Sequence, residues 1–107
     1  MRIQRLALID MNVDINMMSH QTWRFLGKPN LDVSTDFMQI SHNFVGECIG
    51  VLNTSLSINS HSESAKFFVM APGHLDEEVV LGRHWMAQRR CYRGQASFYC
   101  PYQVTKS

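Results

Sequence analysis

Three runs in the middle of the chain constrain its fold most. Between Leu31 and Val69, "FMQIS", "CIGVLNTSLSI" and "AKFFVM" are rich in aromatic and branched residues. Such side chains suit a pleated, half-buried surface, so the region reads as consecutive strands. The separator "NSHSES" is Ser/Asn/His-rich and reads as a solvated hairpin tip. The other, "HNFVGE", places apolar Phe44 and Val45 in a tip, where they should pack on the core or on a ligand or partner.

The flanks carry the same kind of signal. "IQRLALI" (residues 3–9) begins with alternation and ends as an apolar run, as a strand entering a core does. "MNVD" interrupts it with turn-capable residues, and "INMMS" resumes a short apolar segment. Ser19 is placed to cap a short helix over "HQTWRFLG", with Trp23 and Leu26 on one face, Gly27 as its stop and Pro29 beyond. After the central strands, "APGHLDEE" reads as an acidic turn and "VVLG" as a short apolar strand. "RHWMAQRR" reads as a short C-terminal helix with Trp85 facing the core. "ASFYCPYQV" returns to strand composition, with Pro101 marking an edge or an ending. The expectation is one mostly β domain over 1–107, with short helices near 20–26 and near the C-terminus.

Composition narrows the function. A hydrophobic share of 45% against 18% charged residues describes a packed globule rather than a disordered chain. A formal charge of +1 provides no global basic field, so nucleic acid is not an expected partner. Arg83, Arg89, Arg90 and Arg93 do cluster after Asp76, Glu77 and Glu78, which reads as a solvated helix face with local ion pairing. The N-terminal apolar run is too short for secretion or for a membrane span. Three cysteines (Cys48, Cys91, Cys100) without a CxxC fit a reduced intracellular setting, cytoplasmic or nuclear. The histidines at 20, 42, 61, 74 and 84 show no ligand spacing, so neither a metal nor a cofactor is expected.

The order of parts resembles a family. "LIDMNVDINMMS" and, much later, "VVLGRHWM" occupy the places of the two motifs of retropepsin-like aspartic proteases, especially those of gypsy-type LTR retrotransposons and genes derived from them. The resemblance covers about residues 3 to 95. It implies a closed, orthogonal β-barrel protomer with a flap hairpin, and a homodimer in which each chain gives one aspartate, here Asp10. Two carboxylates so close cannot both ionise, so one serves as base for water and the other as acid. No second Asp-Ser/Thr-Gly occurs, so a symmetric partner is required.

Residue by residue, the active-site turn would be Met11, Asn12 and Asp14. Met11 stands where the family has a Ser or Thr hydroxyl that bonds across the dimer, a role a thioether cannot fill. Asn12 stands where glycine lets backbone approach the carboxylates; its side chain is expected to crowd that place. Asp14 and Arg83 match a supporting ion pair. The flap falls over Met38 to Gly50, with Ser41, His42, Asn43, Phe44, Val45 and Gly46 facing substrate. Relatives carry a further strand before the aspartate, whereas here nine residues precede Asp10; either the chain was trimmed, as a piece of a larger polyprotein would be, or "ASFYCPYQV" supplies that strand.

Three functions follow. A homodimer that keeps the fold but is impaired in catalysis would act as a dimerisation or interaction module. An active homodimeric aspartic endopeptidase would cleave extended peptides with Asp10 from each chain. Outside the resemblance, a small β-rich binding domain would use its arginine cluster against nucleic acid.

Overall fold

Two long strands organise the chain: β5 (Phe44–Ile58) and β6 (His61–Met70) pair antiparallel from Cys48↔Met70 to Ile58↔His61. The computed structural model describes residues 2–10, 12–33, 37–41, 44–58, 61–82 and 97–105. Along these lie β1 (Arg2–Asp10), β2 (Met17–Met18), α1 (His20–Phe25), β3 (Asp32–Val33), β4 (Phe37–Ser41), β7 (Val79–Leu81) and β8 (Ser97–Thr105). The architecture is mostly β with one short helix among the described residues. The C-terminal helix expected around Trp85 falls outside them.

The strand order is β3-β5-β6-β2-β7-β1-β8, with β4 also on β5. β8 also pairs with β5, through Ser55↔Thr105, Leu56↔Val104 and Ser57↔Gln103. One face of these strands forms the main core. Ala7, Ile9, Met18, Leu56, Phe67, Val69, Val79, Leu81 and Tyr102 are buried there, together with Leu26 from the end of α1. A second cluster, Val13, Met17, Cys48, Met70 and Val80, lies apart from it. Strand periodicity accounts for the split: neighbours Met17 and Met18, or Val79 and Val80, point to opposite sides of the sheet.

Two expected hairpin tips are shorter than their composition implied. "NSHSES" is not a six-residue tip, because β6 begins at His61 and only 59–60 separate the strands. Its polar residues alternate along a ribbon whose other positions include buried Leu56, Ile58 and Ala65, so their backbones join the ladder while exposed Ser62 and Ser64 face out. Likewise Phe44 and Val45 belong to β5, opposite Ser41 and Gln39, and are not in a turn. Pro101 sits inside β8, not at its end, opposite Leu6 on the stretch before pairing with β5 begins at Gln103. A residue without an N–H is tolerated there because one side of the strand has no described partner.

α1 follows its sequence signals. Ser19 Oγ accepts the Thr22 N–H at 3.1 Å and contacts Thr22 Oγ1 at 2.8 Å. At the other end Gly27 adopts φ 91° and the Trp23 indole donates to the Pro29 carbonyl at 2.9 Å. The close approach of β3 to β5 needs Gly50, where a Cβ would lie 2.7 Å from that of Leu31. Ser19→Ala removes both cap contacts and is expected to lower stability by about 1 kcal/mol in chemical denaturation, without changing the far-ultraviolet strand signal.

Candidate functional site

β1 carries alternating side chains to two destinations. Ala7 and Ile9 enter the main core, while Leu6, Leu8 and Asp10 take the opposite face. Leu8 pairs in parallel with Val80, and Val80 pairs with Met17 on its other side. Asp10 is therefore set at the end of β1, level with an apolar floor made by three neighbouring strands. Its backbone carbonyl accepts the Val13 N–H at 3.2 Å, and its Oδ1 accepts the Asn12 N–H at 2.9 Å. The second bond orients the carboxylate and caps the turn by the usual Asx geometry.

The turn after Asp10 rests directly on the end of β7. A Cβ on Gly82 would lie 2.6 Å from the Ile15 carbonyl oxygen and 2.7 Å from that of Val13. Only a residue without a side chain lets the two segments touch. Asn16 fastens the contact: its Oδ1 accepts the Gly82 N–H at 3.0 Å, its amide donates to the Lys66 carbonyl at 3.3 Å, and its own carbonyl accepts the Phe68 N–H at 2.9 Å. One side chain thus ties the turn to both β6 and the residue after β7.

Beside Asp10 lies a cavity of about 320 Å³, with Leu8, Val13, Met17 and Val80 as its floor. The segment between β6 and β7 forms the facing wall through Gly73, His74, Leu75, Asp76 and Glu77. That wall is held from several sides. The Ala71 N–H donates to the Glu47 carbonyl at 2.8 Å, and the Glu47 N–H donates to His74 Nδ1 at 2.8 Å. Tyr99 donates to Glu77 at 3.0 Å and Tyr102 to Glu78 at 3.2 Å. The bond to the Glu77 carboxylate, followed by partial desolvation and the carboxylate's charge, raises the Tyr99 hydroxyl above its ordinary range, so it remains a donor through neutral pH.

The expected site residues divide clearly. Asp10, Asn12 and Asp14 lie together at the turn, Asp14 exposed. Asn12 is also exposed and does not adopt positive φ, Lys28 being the one described non-glycine residue that does. The Asn12 side chain is turned outward from this chain. Met11 and Arg83 lie outside the described residues, and with them the hydroxyl replacement and the Asp14–Arg83 pair. The segment given to the flap is a hairpin of β4 with the start of β5, paired from Phe37↔Glu47 to Ser41↔Phe44, with Gly46 buried. His42 and Asn43, between those strands, lie outside the described residues. Among the described residues no group of three His, Cys, Asp or Glu is arranged to hold a metal ion, and no helix is long and apolar enough to cross a membrane. Cys48 and Cys100 are buried, their Sγ atoms donating to the Gly50 and Pro101 carbonyls at 3.2 and 3.5 Å.

His74 and Asn16 were not singled out by their sequence context. Asn16 had a faint signal, a lone amide between a turn and "MM"; His74 had none beyond its place after Pro-Gly. Compared with protein-family models, with curated proteins and with solved structures, the chain has no match in any of the three.

Gly82→Ala should drive backbone against backbone, lowering stability by about 1–3 kcal/mol. Asn16→Ala should cost about 0.5–1.5 kcal/mol by removing the partner of the Gly82 N–H and the Lys66 carbonyl. Both are measurable by urea unfolding, and in both the amide resonances of residues 12–16 should move most.

Proposed function

We propose that this chain is a retropepsin-like protomer that forms a symmetric homodimer, is impaired in proteolysis, and serves as a dimerisation or peptide-binding module. The observation that carries the reading is the seating of the Asp10 turn. An aspartate at the end of a strand, parallel to "VVL", with the turn after it packed on the following glycine, agrees with the way the two motifs of that family depend on each other. The pairing of β8 with β5 is in keeping with the closed barrel of the same resemblance, and the β4–β5 hairpin with its flap. β8 also runs beside β1 for nine residue pairs, in keeping with a C-terminal segment that takes the place of the further strand relatives carry before the aspartate.

Impairment follows from the chemistry of positions 11 and 12. A dimeric acid pair works only when its two loops are held in register before the reaction begins, because preorganised dipoles and hydrogen bonds supply most of the rate. Met11 has no hydroxyl to bond the opposite loop, and a group left unpaired there would cost about 1–3 kcal/mol on each side of the axis. Asn12, turned outward in one chain, would meet its symmetry mate at that axis. Asp10 retains its orientation through the Asn12 N–H, which keeps the carboxylate available for binding an extended peptide even where cleavage is lost.

The test is a mixed peptide library incubated at about pH 4 to 7, where paired carboxylates share a proton. The native chain and Asp10→Asn should give the same background, whereas the double variant Met11→Thr, Asn12→Gly should gain cleavage that Asp10→Asn abolishes. Cleavage by the native chain that Asp10→Asn removes would establish the active endopeptidase instead.

A further inference from the structure

Residues 71–78 stand between two empty spaces. On one side is the cavity that holds Asp10. On the other is a larger one, about 530 Å³, lined by His20, Thr22 and Phe25 of α1 and by Pro72, Gly73, Leu75, Asp76 and Glu78. Gly73, Leu75 and Asp76 line both, so the segment is a partition, held by Leu75 packed against the Val13, Met17 and Val80 cluster and by hydrogen-bonded tethers. Its C-terminal end is tied by the two tyrosines and by the Ser19 N–H, which donates to the Glu78 carbonyl at 3.0 Å. Its N-terminal end is tied by Ala71 to Glu47. Between these, among the described residues, the side chains of 72–76 make one hydrogen bond to another element, that of His74 to Glu47.

The direction of that bond matters. A backbone N–H can only donate, so His74 Nδ1 must be an acceptor, which requires the neutral ring. The imidazole occupies the place of a ladder carbonyl: Cys48 is the last β5 residue paired with β6, at Met70, and the next N–H along, that of Glu47, finds the ring. A proton on Nδ1 turns acceptor into donor and sets two N–H groups against each other. We propose that His74 is a protonation-sensitive latch: the neutral ring holds the partition as the wall of the Asp10 cavity and the base of the β4–β5 hairpin, and protonation releases both. The latch goes beyond the protease-like reading and holds whether or not Asp10 cleaves anything.

Four carboxylates lie at the ring's cavity or at its bond. Asp10 of β1 and Asp76 and Glu77 of the segment itself line the same cavity as His74, and Glu47 lies on β5 at the bond. On the far side His20 also titrates; burial first, then the charges of Arg24 and Lys28, lower its proton affinity. The folded chain therefore prefers neutral His20, and its protonation removes stability as pH falls below the ordinary imidazole value. Global stability against pH consequently mixes two histidines, and the local reporter is the Glu47 amide.

Amide exchange and nuclear magnetic resonance titration of the whole chain test the latch at about pH 8 and about pH 5, on either side of the ordinary imidazole range. After correction for intrinsic exchange, protection of the Glu47 amide should fall roughly tenfold in acid, the scale of one lost hydrogen bond. Its shift should move with the same midpoint as the His74 ring. His74→Asn keeps an acceptor at the position of Nδ1 and cannot titrate, so Glu47 should stay protected at both values. His74→Phe should leave it unprotected at both. A Glu47 amide that keeps its protection and shift while the native His74 ring titrates would overturn the proposal, with or without a folded Phe variant.

Discussion

The contact of the Asp10 turn with Gly82 is the constraint on which the site depends. Two backbone segments, 13–15 and the end of β7, approach so closely that a single added carbon would strike two carbonyl oxygens. Asn16 joins the segments by supplying both an acceptor, for the Gly82 N–H, and a donor, to the Lys66 carbonyl. Because the Asn16 side chain also reaches β6, the turn is fixed against two strands at once. The carboxylate of Asp10 inherits its position from this arrangement and from the Asn12 N–H, not from contacts of its own with the core.

The parallel pairing of β1 with β7 does the rest. It places Leu8, Val80 and Met17 side by side on the face opposite the main core, giving an acidic group an apolar floor. A carboxylate above such a floor, with one wall made by a tethered segment, suits an extended chain that presents apolar side chains and backbone hydrogen-bonding groups. The same wall, residues 71–78, separates that cavity from the one beside α1. Binding at Asp10 and release at His74 would therefore act on the same segment.

Much of this was legible in the residues themselves. Strand-forming runs, the Ser19 cap, the Gly27 stop and the short apolar β7 all lie where local chemistry puts them, because each depends on side chains within a few positions. The hairpin tips depart from their composition for a physical reason. Serine in 61–64 and Phe44–Val45 sit in strands because the long β5–β6 ribbon and the β4–β5 pairing satisfy backbone groups that composition alone assigns to solvent. The bonds made by Asn16 and His74 span 50, 66 and 27 positions, and no local pattern announces partners so distant. The exposure of Asn12 depends on the turn's orientation, which the letters of the motif leave open.

The account turns on symmetry: a chain with one such turn gains a paired site only from a second copy. The most direct measurement is the mass of the native chain by light scattering at high micromolar concentration. The account predicts a mass of two chains that falls toward one on dilution. A mass of one chain at that concentration would contradict it, since neither a paired-aspartate site nor a dimerisation module can exist in a monomer.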